Sequence, residues 1–280
     1  MMNKDNPIQV TILVDNRVDG ELVPEHGLAM WIEADGRNIL FDTGQGQALE
    51  PNCRSLGIDL GKADTLVLSH GHYDHTGGLD QALQAAPSVT VYCHSEAVRP
   101  RYAVRNGDAT AIHMPRSAMA ALDKRPRSLL HWTPAPVMLS KNVGLTGPIP
   151  RVTDYEDVGG PFFLDAQGHR PDRLTDDMAL WINTDDGVVV CVGCCHSGLV
   201  NTLAQVKKLS GCDRIRAVIG GFHLVNAGAE RMEKTRAALR KIDPGILAPC
   251  HCTGDLALEA LKNDPGLVVN QGHAGKSFVF

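Results

Sequence analysis

The stretch Thr65-Leu66-Val67-Leu68-Ser69-His70-Gly71-His72-Tyr73-Asp74-His75-Thr76-Gly77-Gly78 decides the reading of this chain. An apolar run of strand type, 65–68, is followed within a few residues by three histidines and an aspartate. In extended chain, residues two apart point the same way, so His70 and His72 can address one ion from one side. Asp74 and His75 stand one step on, where the chain turns toward a helix, and can reach a second ion. Gly71 permits close backbone approach. Imidazole with carboxylate suits Zn²⁺, or else Fe or Mn²⁺, far better than Ca²⁺ or Mg²⁺. One histidine in a loop is ordinarily a surface or core residue. Three with an aspartate, in the order His-X-His-X-Asp-His after a hydrophobic strand, point to a metal centre.

Outward from this segment, strand-type runs at 8–14, 28–33 and 37–41 precede it, and Ala34-Asp35-Gly36 reads as a hairpin turn. A helix is expected over about 77–86, where Leu79, Ala82, Leu83 and Ala86 share a face. A strand at 88–92 follows. From about 97 to 173 the alternation fades, and between Arg99 and Lys141 eight basic residues stand against Asp108 and Asp123. This reads as an inserted cap or long-loop region. The pattern then restarts: strands at 179–184 and 188–192 around Asp185-Asp186-Gly187, a helix carrying Leu199, Leu203 and Val206, a strand at 215–219, and a helix near 229–242. Strands at 245–248, 267–269 and 277–280 and a short helix after Asp255 complete it. Two such halves in one domain spanning 1–280 predict a layered α/β (α+β) fold, two sheets with helices outside.

Composition sets the outer limits. With 280 residues, 43% hydrophobic and 21% charged, the chain is globular rather than disordered. A net charge of −5 lacks the basic footprint of a nucleic-acid binder. No apolar run approaches the ~20 residues of a membrane helix, and the start, with Lys4 and then Asp5, does not read as a signal peptide. A cytoplasmic location follows as an expectation, and the eight cysteines then read as reduced thiols.

His70-Gly71-His72-Tyr73-Asp74-His75 resembles the signature of the metallo-β-lactamase fold superfamily, and Phe41-Asp42-Thr43-Gly44 resembles its upstream strand-end aspartate motif. Gly193-Cys194-Cys195-His196-Ser197-Gly198, Ile219-Gly220-Gly221-Phe222-His223-Leu224 and Pro249-Cys250-His251-Cys252-Thr253-Gly254 look like the branch labelled 7,8-dihydropterin-6-methyl-4-(β-D-ribofuranosyl)aminobenzene-5′-phosphate synthase-like. The resemblance implies a four-layer αββα sandwich with one or two metal ions, Zn²⁺ first, at one edge of the sheets. It implies His196 as a further ligand of the first ion and His251 of the second, beside His70, His72, Asp74 and His75. His223 is a candidate ligand or substrate contact. Where a bridging carboxylate would stand the chain has Cys194, which is either a thiolate ligand or a packed cysteine. Asp176 and Asp177 are the alternative carboxylates, or else a solvated turn. Asp42 is expected to orient a ligand histidine. His26, His94, His113, His131, His169 and His273 receive no role.

The expected activity is hydrolysis of a small, anionic ester, lactone or phosphoester by a metal-activated hydroxide, with Asp74 orienting the nucleophile or taking its proton. The arginines of the insertion suggest docking of an anion. A non-catalytic metal-containing sensor and a diiron redox protein are the alternatives. The expected partner is a small molecule, not nucleic acid or membrane.

Overall fold

The computed structural model describes residues 7–280, and the reading of Lys4 and Asp5 lies outside them. The described chain divides into two compact units. One comprises the residues through 134 together with 161–176 and 273–280; the other comprises 135–160 and 177–272.

The first unit is built on a seven-stranded sheet in the order Ser277–Val279, Gln9–Val14, Ala29–Ala34, Arg37–Phe41, Thr65–Val67, Thr90–Cys93, Leu130–Trp132. The first four strands pair antiparallel and the later ones parallel. The expected hairpin is present: Asp35 and Gly36 both have positive φ (55° and 73°), as a two-residue type I′ turn requires. Trp31, Leu40, Leu66 and Val91 pack on one face with Leu79, Ala82 and Leu83 of helix Leu79–Ala85 and with Ala118 and Leu122 of helix Arg116–Asp123. Met30, Ile32, Ile39 and Phe41, pointing the other way, are also buried. Burial on both faces is why these strands read as continuous apolar runs rather than alternating ones.

The second unit holds a six-stranded sheet in the order Ile246–Cys250, Ile215–Gly221, Gly187–Val192, Ala179–Thr184, Val143–Leu145, Val137–Met138. Helix Leu199–Ser210 presents Leu199, Leu203 and Val206 to Trp181, Val188 and Val190. Pro249 is tolerated inside its strand because that strand is an edge. Strand Ile215–Gly221 runs two residues past the expected stop, its last two glycines being poor strand formers held by parallel pairing on both sides. Pairing of Thr184 with Gly187 makes the turn Asp185-Asp186, one residue shorter than expected. The expected strand at 267–269 reduces to a single bridge between Leu247 and Val269.

The stretch 97–173, expected as a cap or long loop, carries short elements of all three sheets. Tyr102–Arg105, Asp108–Ala111 and Phe162–Phe163 form a three-stranded sheet of their own. The strands in this stretch are two to four residues long, too short for hydrophobic periodicity to register. Its basic residues are partly consumed structurally. Arg101 is buried and paired with Asp172 and Asp176, Arg99 pairs with Glu96, and Arg125 donates to the carbonyls of Pro87 and Val89. The anion-docking reading therefore loses three of its eight cations and narrows to the exposed Arg105, Arg116, Lys124, Arg127 and Lys141.

Candidate metal centre

In the first unit, strand Thr65–Val67 delivers the chain to Ser69, and His70 and His72 follow in extended conformation before the short helix Tyr73–Thr76. The loop is pinned from outside. Tyr73 N donates to Ile112 O (3.1 Å), and Gly71 N donates to Asp176 Oδ2 (2.8 Å). A Cβ on Gly71 would collide with the carbonyl of Ala97, so only glycine lets the loop lie this close to its neighbour. Asp176, read from the sequence as a carboxylate source or a solvated turn, is instead fully buried and gripped by two nitrogens of the Arg101 guanidinium. Burial alone would lower the Arg101 guanidinium, but Asp176 first, then Asp172 and Glu96, hold it charged and above its ordinary value.

Asp42, fully buried and with φ of 59°, is the hub of this half. Its Oδ1 accepts from Ser69 N (2.7 Å). Its Oδ2 accepts from Ser69 Oγ (2.7 Å) and faces His75 Nδ1 (2.7 Å). A carboxylate is acceptor-only, so His75 carries its proton on Nδ1 and turns the Nε2 lone pair outward. Ser69 Oγ, its proton given to Asp42, accepts from His70 Nδ1 at 2.9 Å and leaves the Nε2 lone pair of His70 outward as well. That lone pair meets His72 Nδ1 at 3.0 Å. Two nitrogens bound to one tetrahedral ion at about 2.0–2.1 Å stand about 3.3 Å apart, so this spacing fits a shared cation. Asp74 Oδ2 lies 3.9 Å from His75 Nε2 and 3.3 Å from His26 Nε2. His26, given no role from the sequence, therefore belongs beside Asp74; it stands alone in a loop, with no motif to mark it.

The second unit places its donors at three strand ends. His196 follows Gly187–Val192, His223 follows Ile215–Gly221, and His251 follows Ile246–Cys250. His196 is fully buried; its Nδ1 donates to Val158 O (2.9 Å), which again reserves Nε2 for a ligand. Its ring lies 4.2 Å from that of His223. Asp177, expected as a bridging carboxylate or a solvated turn, is buried and accepts from Ser197 N (2.7 Å), fixing the turn that carries His196. Cys194, His223 and Cys252 each offer a donor atom within 4.8 Å of one another. Burial tends to raise the Cys252 thiol, but its hydrogen bond with Cys194 and the charges of His223 and His251 draw it well below its ordinary value. Cys191, by contrast, is pushed up to about 12 by burial.

Backbone strain gathers at these positions. Asp42, Cys195, His223 and His251 are non-glycine residues with φ between 43° and 59°. Each such residue costs of order 1 kcal/mol or more, and persists where its surroundings over-determine it. Donor chemistry and tautomers in both units fit a transition-metal ion, and His/Cys/Asp groups capable of holding one are present.

Comparisons with known proteins agree with this chemistry. The sequence model of the metallo-beta-lactamase superfamily matches residues 22–251. The chain is 32% identical over 269 residues to the uncharacterized protein MJ0448 of Methanocaldococcus jannaschii, covering 95% of this chain and 98% of that protein. It is 28% identical over 275 residues to the 7,8-dihydropterin-6-methyl-4-(beta-D-ribofuranosyl)-aminobenzene-5'-phosphate synthase of the same organism, covering 91% and 90%. Among solved structures, Tm1679, a metal-dependent hydrolase of the beta-lactamase superfamily, aligns with a TM-score of 0.81 and 27% identity over 97% of this chain and 98% of the other. Motif, mixed α/β fold and strand-end donors thus converge on one assignment: this chain belongs to the metallo-beta-lactamase superfamily.

Proposed function

We propose that the protein is a metal-dependent hydrolase of a small anionic ester, lactone or phosphoester. Its candidate ligands are His70, His72, Asp74 and His75 in the first unit and His196 and His251 in the second, with Zn²⁺ the first choice of metal. The observation that carries this reading is the Asp42–Ser69 network, which engages Nδ1 of His70 and of His75 and so turns the Nε2 of His70 toward His72 and that of His75 toward Asp74. Bound there, a metal ion would supply Lewis acidity and an activated water near neutral pH. Asp74 would orient the attacking water or take its proton, and His26, 3.3 Å from that carboxylate, would pass the proton toward solvent. His223 and Cys194 are proposed to contact metal or substrate, and Asp177 to hold the His196 turn.

A second reading concerns the substrate. Similarity over most of the chain to a protein named as a synthase of a phosphorylated ribofuranosyl-aminobenzene pterin supports a phosphorylated heterocycle as the anion, and bond formation as an alternative to hydrolysis. Metal analysis of the purified protein, followed by a panel of phosphoester, lactone and carboxylic ester substrates, tests both. One or two equivalents of Zn, Fe or Mn are expected, with turnover falling about 10²–10⁴-fold in Asp74→Asn and metal content falling in His72→Ala. A His72→Ala protein with full metal and full turnover would sink the proposal.

A further inference from the structure

We propose that Cys194 and Cys252 form a reversible thiol–disulfide pair, oxidised by a hydroperoxide and reset by a dithiol. None of the eight cysteines is disulfide-bonded. The Sγ atoms of Cys194 and Cys252 nevertheless lie 3.2 Å apart. Two thiolates sharing one tetrahedral zinc at about 2.3 Å would stand about 3.8 Å apart. The observed pair is closer than that, on the approach to a disulfide at about 2.05 Å.

The fold has made room for this meeting. Cys194 follows strand Gly187–Val192 and Cys252 follows strand Ile246–Cys250, and these strands are separated in the sheet by Ile215–Gly221. The sulfurs can meet only across the end of that middle strand. Its last residue is Gly221, whose N donates to Gly193 O (3.0 Å) and which pairs in register with Cys250. A Cβ at Gly221 would stand 2.6 Å from Cys252 Sγ and 2.5 Å from Gly193 O. A glycine is thus required where the thiols approach. Cys252 is partly exposed whereas Cys194, Cys195 and Cys250 are buried, so a small oxidant reaches Cys252 first.

The chemistry balances in two steps. The Cys252 sulfur attacks the terminal peroxide oxygen; an S–O bond forms, the O–O bond breaks, and water or alcohol leaves with the thiol proton. The Cys194 sulfur then attacks the Cys252 sulfenic acid; the S–S bond forms, the S–O bond breaks, and hydroxide leaves as water with the second thiol proton. Two electrons pass from the thiols to the peroxide. Cys194 is shared with the proposed metal or substrate contacts, but the test counts thiols rather than turnover, so its outcome is read separately from that of the hydrolase reading.

The test treats the full-length chain with one equivalent of hydrogen peroxide in the presence of a chelator. The thiol count under denaturing conditions is expected to fall from eight to six. Peptide mapping is expected to show one link, 194–252, and dithiothreitol to restore eight thiols. Cys250→Ser should keep the link and Cys252→Ser should lose it. A link between any other pair, a lone cysteine driven to sulfinic acid, or an unchanged thiol count would overturn the proposal; should Cys252→Ser fail to fold, the wild-type peptide map decides.

Discussion

At the scale of single residues, Asp42 ties Ser69, His70 and His75 together. It satisfies Ser69 through backbone and hydroxyl, and it sets the His75 tautomer directly and the His70 tautomer through Ser69. Asn at this position tolerates the left-handed backbone but offers one acceptor oxygen instead of two, and its amide hydrogens would oppose either the Ser69 hydroxyl or His75 Nδ1. Asp42→Asn is therefore expected to weaken zinc binding about 10–100-fold while the fold survives. Competition titration against a chromophoric chelator measures this. Unchanged affinity would show that the rings are oriented by packing alone. Asp42 was legible in the sequence because it ends an apolar run in Phe41-Asp42-Thr43-Gly44; His26 was not, because a lone loop histidine carries no pattern until the fold brings it to Asp74.

At the scale of elements, the loop 70–75 owes its position to groups remote in sequence. Arg101, at the start of the short strand Tyr102–Arg105, grips Asp176, and Asp176 holds Gly71 N. Arg101 also reaches Asp172 at 2.9 Å, so one buried guanidinium serves two buried carboxylates. Removing it leaves both without their cation in a low-dielectric site. Arg101→Met is expected to cost about 3–5 kcal/mol of stability. Urea denaturation at neutral pH measures that loss, and a change below about 1 kcal/mol would mean that the carboxylates find other partners. Glu156 plays a comparable part in the other unit. It accepts from Val200 N and Asn201 N, and so serves the exposed amide end of helix Leu199–Ser210, which Gly198 cannot cap with a side chain.

At the scale of the whole molecule, a cation held by the proposed ligands would favour the folded chain over the unfolded one, and the left-handed backbone at Cys195, His223 and His251 is a cost the fold already carries at those strand ends. Metal binding to the folded state should therefore appear as stability. Zinc at a hundred times its dissociation constant is expected to raise the unfolding free energy by about 2.7 kcal/mol, provided the unfolded chain does not compete for it. Denaturation midpoints with zinc and with chelator compare the two states, and coincident midpoints would argue against a metal bound to the folded form.

The sequence by itself determined the strand-loop-helix unit around His70–His75, the paired strand runs of both sheets, and the three late strand-end motifs. These are local patterns: buried strands write themselves as apolar runs, and clustered ligands write themselves as short spacing. It could not decide the short strands between 97 and 173, which at two to four residues are too short for periodicity and of which Val143–Leu145, Phe162–Phe163 and Leu130–Trp132 pair with partners far along the chain. Nor could it say that Asp176 and Asp177, adjacent in sequence, serve different tasks, one gripped by Arg101 beside Gly71 and the other holding the turn at Ser197. The approach of Cys194 to Cys252 across a glycine strand end was likewise invisible. These side-chain contacts join residues between 20 and 105 positions apart, and only tertiary packing sets such distances.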